Sequence, residues 1–329
     1  MIRSHYYQPG KPLQTDLPLD SLKKVLHSRR GVLWVDFSGE TPEVCEPILK
    51  SFGFHDLAID DALQETHSPK IDDWGSYIYL VLNYMHMDGT DRNQWQTDVD
   101  ELDIFLGSNY VVTHHDLPVP AIDAVLASVA RDQRPFLEGA DHVLYKIIDN
   151  VVENYMPIME RVDEAIDEIE DQVFDRPSPR TLERLFDLKR VLLSMRRILL
   201  PQREVLNKLA RDDYAVVDRK DRIFFRDIYD HMVRLHDLNE TMRDLVGGVL
   251  DMYLSVINNR MNEVMKTLTI ITTLFMPLSF VTGFFGQNFF EPLGMMKAWT
   301  TPLAFLIMLM VTVTLPIGMY TWMRRRTWV

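Results

Sequence analysis

Residues 267–290 read TLTIITTLFMPLSFVTGFFGQNFF, 24 positions without a formal charge. A helix needs about 20 apolar residues to cross a hydrocarbon core about 30 Å thick. Helices in the core of soluble proteins seldom run that long uncharged. Residues 298–323 form a second uncharged run of similar length. Arg260 and Lys266 precede the first run, and Arg324, Arg325 and Arg326 follow the second. Under the positive-inside rule both flanks lie in the cytoplasm, with residues 286–297 outside. Trp299, Tyr320, Trp322 and Trp328 sit near the ends of the second run, where aromatic belts form. The expectation is a two-span protein of a bacterial-type inner membrane with both termini cytoplasmic.

Charge separates this tail from the rest. Of 35 basic and 48 acidic side chains in 329 residues, five basic and one acidic follow residue 265, so the tail is +4 and the body −17. Nucleic acid, which needs clustered Lys and Arg to replace counterions, is excluded as a partner. One cysteine, Cys45, rules out a disulfide framework or a cysteine zinc site within the chain and fits a reducing compartment. Met1 to Gly10 lack the apolar stretch of a cleavable signal peptide, so none is expected. Nucleophile elbow, phosphate loop and Cys–His cluster are all missing, so neither an enzyme nor an organic cofactor is expected.

Periodicity places a mixed α/β region first. Residues 32–37, 77–85, 102–106 and 110–113 read as strands, the last two joined by a Gly107-Ser108-Asn109 turn. Residues 41–52 and 56–65 have helical spacing, the first opened by Thr41-Pro42. Beyond Pro118 and Pro120 the pattern turns helical. One helix is expected over 140–174 with a kink at Pro157, and a return helix over 181–209. A third begins near Asp218 and meets no strong breaker before Pro277, although Gly247-Gly248 weakens it. It would be a rod about 100 Å long that needs partner copies to bury its face. The domains expected are an N-terminal cytoplasmic α/β domain (1–135), long cytoplasmic helices and stalk (136–266), two membrane helices (267–323) and a basic tail (324–329).

The run Asn258-Asn259-Arg260-Met261-Asn262-Glu263-Val264-Met265-Lys266 leads through Phe275-Met276-Pro277-Leu278-Ser279-Phe280 to Gly283-Phe284-Phe285-Gly286-Gln287-Asn288-Phe289. It resembles the CorA family of divalent-cation channels and transporters, whose first membrane helix ends in Gly-Met-Asn. Phe225-Arg226-Asp227-Ile228-Tyr229-Asp230-His231 resembles the family's stalk, Arg196 to Pro201 its second long cytoplasmic helix, and Glu101 to Thr113 its strand hairpin. The resemblance covers most of the chain and is strongest from about Asp218 to Asn288. It implies an α+β membrane protein: a cytoplasmic α/β domain, a stalk helix continuous with the first membrane helix, and a funnel-shaped homo-oligomer of five copies in a lipid bilayer. Two departures stand out. Gln287 replaces the Met of magnesium-type members, a position at which the zinc-type ZntB relatives also differ, usually with a small aliphatic residue. The outer loop, acidic in magnesium-type members, holds Glu291 and Lys297.

At about 100° per residue, Met265, Thr269, Thr272, Met276, Ser279 and Gly283 share one stripe of the first membrane helix. Such a stripe is either a helix-packing seam or the wall of a pore. The resemblance implies a pore, with Asn262 and Leu268 also lining it and Gly286, Gln287 and Asn288 forming the selectivity filter. Magnesium keeps its waters tightly, so amides and carbonyls suit the hydrated ion, while Met265, Leu268 and Met276 form rings that block by dewetting when narrow. The resemblance also places a regulatory magnesium between subunits, held by Asp227 and by Asp72 or Asp73 of a neighbour; the plainer alternative pairs Asp227 with Arg226. The acidic run Glu160, Asp163, Glu164, Asp167, Glu168, Glu170 and Asp171 reads as a solvated face, or as a means of concentrating cations. The pairs His114-His115 and His231…His236 lack the i, i+4 spacing of a metal-binding helix and are expected to be ordinary surface histidines. Divalent cations, magnesium first, are the expected substrate and regulator. A ZntB-like zinc transporter, perhaps proton-coupled, is the alternative in kind; a membrane-anchored interaction or sensor protein is the alternative in class.

Overall fold

The computed structural model describes residues 1–28, 30–64, 68–87, 97–286 and 301–326. The chain divides into two compact units, residues 1–250 and 251–329.

The first unit is built on a seven-stranded sheet of β1 (Ile2–Tyr7), β2 (Gln14–Thr15), β3 (Val32–Ser38), β4 (Lys70–Asp73), β5 (Tyr77–Met87), β6 (Thr97–Gly107) and β7 (Tyr110–His115). The strand order is β2-β1-β3-β7-β6-β5-β4. Only β3 and β7 pair in parallel, with Leu33 opposite Tyr110 and Phe37 opposite His114. The four expected strands are all present, and β6 begins five residues earlier than expected, at Thr97. Its first turn of sequence, Asp98-Val99-Asp100-Glu101, is acidic and half-exposed, so it has strand pairing without the apolar alternation that announces a strand. The same reason hides edge strand β4, Lys-Ile-Asp-Asp.

Alternation divides the sheet's side chains between two faces. Leu33, Val35, Phe37, Tyr79, Val81, Phe105 and Val112 form one core with α1 (Leu19–Ser28), α2 (Pro42–Ser51) and α3 (Asp56–Gln64), where Cys45 is fully buried. The other face packs against α6 (Ala140–Glu153), α7 (Tyr155–Asp175) and α8 (Pro179–Arg211), with α4 (Pro120–Arg131) and α5 (Arg134–Glu138) alongside α6. The helix expected over 140–174 is therefore two helices, and the break falls at Asn154, three residues before Pro157. A proline ring collides with the carbonyl four residues back, here that of Glu153, and supplies no N–H to it. The chain responds by starting a new helix with Pro157 in its first turn. The Asn154 side-chain amide donates to the Met85 carbonyl at 2.8 Å, tying the break to β5.

The third long helix, α9 (Arg222–Phe285), starts four residues later than expected, because residues 218–221 form turns. It runs through Gly247-Gly248 without interruption. Each glycine costs about 1 kcal/mol in a helix interior, and buried Val246 and Val249 on either side offset it. Phe225, Ile228, Met232, Leu235, Asn239, Met242, Val246 and Val249 are buried at alternating spacings of three and four. This seam lies against the chain itself, as the Arg196–Glu240 pair at 3.4 Å between α8 and α9 shows, so its burial does not wait for partner copies.

The second unit holds the rest of α9 and α10 (Pro302–Arg325). Both helices contain windows apolar enough to cross a membrane, with mean hydropathy 1.8 and 1.7, and none of either window is buried within the chain. Fifteen or more large apolar side chains, among them Met261, Val264, Phe275, Phe280, Leu303, Phe305 and Met310, are exposed there. Soluble monomers do not carry continuous apolar surface on this scale.

Candidate functional site

The stripe expected to line a pore lies on the unbroken helix α9. Asn262, Met265, Leu268, Thr269, Thr272, Met276, Ser279 and Gly283 lie on one side of that helix and are all exposed in the single chain, as is Gly286 directly after it. Within the helix Thr269 Oγ1 donates to the Met265 carbonyl at 2.7 Å and Thr272 Oγ1 to the Leu268 carbonyl at 2.9 Å. Each hydroxyl proton is thereby committed to the backbone, so what these threonines offer outward is oxygen lone pairs. Lone pairs accept from the water shell of a cation. Pro277 adds a further acceptor, since it leaves the Thr273 carbonyl without its helical donor. Gln287, Asn288 and Glu291 lie outside the described residues.

The residues expected to hold a regulatory ion fall on separate elements. Asp227 is exposed on α9 beside α6. Burial, then Asp149, then Asp227 push the Tyr145 phenol up to about 12. Burial raises Asp149 above the ordinary carboxylate range, and the charge of Asp227 adds to this. Asp72 and Asp73 are on β4: Asp72 is 3.5 Å from Lys70 Nζ, and Asp73 Oδ1 accepts from the Gly75 N–H at 2.8 Å. Among the described residues of one chain, the acids that converge are instead Asp141, Asp218 and Asp221. Burial pushes Asp141 above the ordinary carboxylate range, and the charges of Asp221 and Asp218 push the same way. Sequence reading missed this group, because Asp141 is far along the chain from the other two; only the Asp218…Asp221 spacing was visible.

Two sequence expectations meet opposite outcomes. His114 and His115 are not surface histidines: they are 4% and 1% exposed. Both belong to β7, which is central in the sheet, so each face of the strand is covered. His115 Nδ1 faces the Leu117 carbonyl at 2.6 Å and Nε2 faces Asp36 Oδ1 at 3.2 Å. Both partners only accept, so the setting favours the cationic ring, which can donate from both nitrogens. Thr113 donates to the same Asp36 oxygen at 2.6 Å, and Arg3 to the other at 2.7 Å. His114 lies 3.4 Å from Asp103 beside an acidic cavity of about 200 Å³ lined by Asp100, Glu101 and Asp116. The acidic run on α7 does form a solvated face. Glu160, Asp163, Glu164, Asp167, Glu168 and Asp171 are exposed, while Val162, Ile166 and Ile169 turn inward.

A sheet-bearing soluble unit, one helix running on into an apolar segment, and a second apolar helix are thus established. A family model described as CorA-like Mg2+ transporter protein matches residues 29–325. The chain belongs to that family. Divalent-cation transport is accordingly its activity, and with two helices long and apolar enough to cross a membrane it is a membrane protein. The cobalt/magnesium transport protein CorA of Thermotoga maritima is 33% identical over 90% of this chain and 83% of its own length. The zinc transport protein ZntB of Yersinia pseudotuberculosis is 24% identical over 98% of this chain and 94% of its own. In fold, the solved CorA magnesium transporter of Methanocaldococcus jannaschii matches with a TM-score of 0.85 at 21% identity, over all of this chain and 99% of that one.

Proposed function

We propose that this chain forms a homo-oligomeric pore, five copies by the family resemblance, which passes hydrated divalent cations across an inner membrane with Mg2+ favoured. The observation that carries the reading is the uncharged stripe on α9. It joins thioether and hydroxyl positions, and its threonine protons are turned into the helix. A plain anchor has no use for such a stripe, which weighs against the sensor alternative. Gly286, Gln287 and Asn288 are read as the outer filter, with Glu291 in the loop beyond it. Both termini are read as cytoplasmic, with domains at 1–135, 136–266, 267–323 and 324–329. Asp227 of one copy with Asp72 or Asp73 of the next is read as the regulatory site.

Magnesium is preferred to zinc on the donor inventory. Zinc favours nitrogen and sulfur ligands, and the chain has no histidine or cysteine after His236. A hydrated ion needs only oxygen acceptors, which the stripe has. The zinc reading keeps support from the ZntB relative, which matches along nearly the whole chain. Flux into proteoliposomes at equal gradients of Mg2+, Co2+ and Zn2+ decides between them. Magnesium uptake at least matching zinc uptake is expected; zinc uptake with no detectable magnesium uptake would replace this reading with the zinc one.

A further inference from the structure

Where α8 gives way to α9, three carboxylates meet that neither the pore nor the Asp227 site uses. Asp141 stands in the first turn of α6, Asp218 in the turn before α9, and Asp221 immediately before the first residue of α9. One oxygen from each lies within 4.8 Å of the others. Asp218 is exposed, whereas Asp221 is 1% exposed.

The hydrogen bonds leave this group unfinished. Asp141 Oδ2 accepts from the Asp218 backbone N–H at 2.8 Å, and its Oδ1 accepts from the His142 N–H at 3.1 Å. Asp221 Oδ1 lies 3.1 Å from His142 Nδ1. Asp221 Oδ2, equally enclosed, has no hydrogen-bond partner. Helix capping does not employ it, because the N–H groups of Phe224 and Phe225 bond to the Asp221 backbone carbonyl. Lys220 Nζ stands 4.0 Å away, beyond hydrogen bonding, and is engaged by Glu138 at 3.2 Å. A buried carboxylate oxygen without a partner is costly and calls for a counter-charge. Two helix N-termini at about half a positive charge each, together with Lys220, bring about +2 against three carboxylates. With His142 neutral the balance remains negative, and its Nδ1 reaches Asp221 Oδ1 while Oδ2 stays without a hydrogen-bond partner.

We propose that Asp141, Asp218 and Asp221 bind a hard divalent cation of the Mg2+ and Mn2+ class, which fastens the start of α6 to the turn entering α9. The donor set is oxygen only, and three carboxylates leave the remaining positions to water, as magnesium requires. A softer metal would look for nitrogen, and His142 Nδ1 already faces Asp221. The site lies within one chain and is separate from Asp227. It depends neither on the ion that crosses the membrane nor on transport occurring at all.

Counting Mn2+ bound to the full-length protein in detergent, by electron paramagnetic resonance, tests this. Asp218→Asn is the informative variant, since the bond to Asp141 comes from the Asp218 backbone and the side chain is exposed; its metal-free melting should match the parent. The parent should bind one Mn2+ per chain more than Asp218→Asn, displaceable by Mg2+. The same difference should persist in an Asp227→Asn background. Lys220→Gln, which removes the competing ammonium, should tighten that ion severalfold. Equal counts with and without Asp218→Asn would overturn the proposal, as would a difference that disappears with Asp227→Asn. Because binding is the readout, a protein that fails the magnesium flux test still reports on this site.

Discussion

At the scale of single residues, the most fully partnered chemistry is the buried pair of His115 and Asp36. Burial draws the His115 imidazole down, but the hydrogen bond and charge of Asp36 with the Leu117 carbonyl outweigh it, so its pKa rises above 6.5. Burial pushes Asp36 up, yet hydrogen bonds from His115, Thr113 and Arg3 hold it below 3.8. The signs follow by linkage. The raised His115 contributes stability that is complete below the unfolded value and lost as pH climbs through the folded one; the depressed Asp36 contributes stability lost as pH falls through its own. The pair therefore supports the fold best between about pH 4 and 6.5. Raising the pH from 6.5 to 9 should therefore lower the stability of the soluble unit, and with it the melting temperature. His115→Gln should flatten that slope in differential scanning fluorimetry; an unchanged slope would show that His115 does not titrate there. A second prediction concerns the filter. Asn288→Ala should remove most divalent flux while the oligomer stays intact, and Gln287→Met should retain magnesium flux. Normal flux through Asn288→Ala would take the amide out of the filter.

At the scale of elements, α9 joins two kinds of helix in one. From Phe225 to Val249 it carries a seam with three-and-four spacing that α8 helps to bury, and Asn239 interrupts that seam. Asn239 is 0% exposed and neither amide atom has a hydrogen-bond partner. A buried amide in this state costs about 1–3 kcal/mol, while a lone Asn in such a seam can select one register at the expense of stability. Asn239→Leu, which keeps the branched shape, should raise the melting temperature of the full-length protein, and a fall would show that the amide is satisfied in the assembled molecule. Element types were well marked in the sequence where apolar spacing was strong, as in β3, β5, α8 and α9. They were hidden where polar residues pair at a sheet edge, as in β4 and the start of β6. The break at Asn154 lies between these cases. Pro157 announced an interruption, and the clash with the carbonyl four residues back moved it upstream.

At the scale of the whole molecule, the large exposed apolar side chains of α9 beyond residue 260 and of α10 need lipid, or lipid and further copies of the chain, to cover them. One two-span chain cannot enclose a pore, so mass measurement on the detergent-solubilised protein should find an oligomer; a monomer at micromolar concentration would remove the pore reading. The membrane character, the two spans and the unbroken stalk were legible from sequence alone, because each depends on a long local run: uncharged length, flanking arginines, and the distance between breakers. Family membership was legible too, in the residues from Asn258 to Asn288. What depended on distant parts of the chain meeting was not. His114 and His115 read as surface residues, and only the sheet order, which sets β7 between β3 and β6, buried them. Asp141 and Asp221 gave no sign of each other in sequence. They come together because α6 and α9 begin at the same place in the fold, and side chains eighty residues apart can share a charge balance only after the backbone has brought them within a few ångströms.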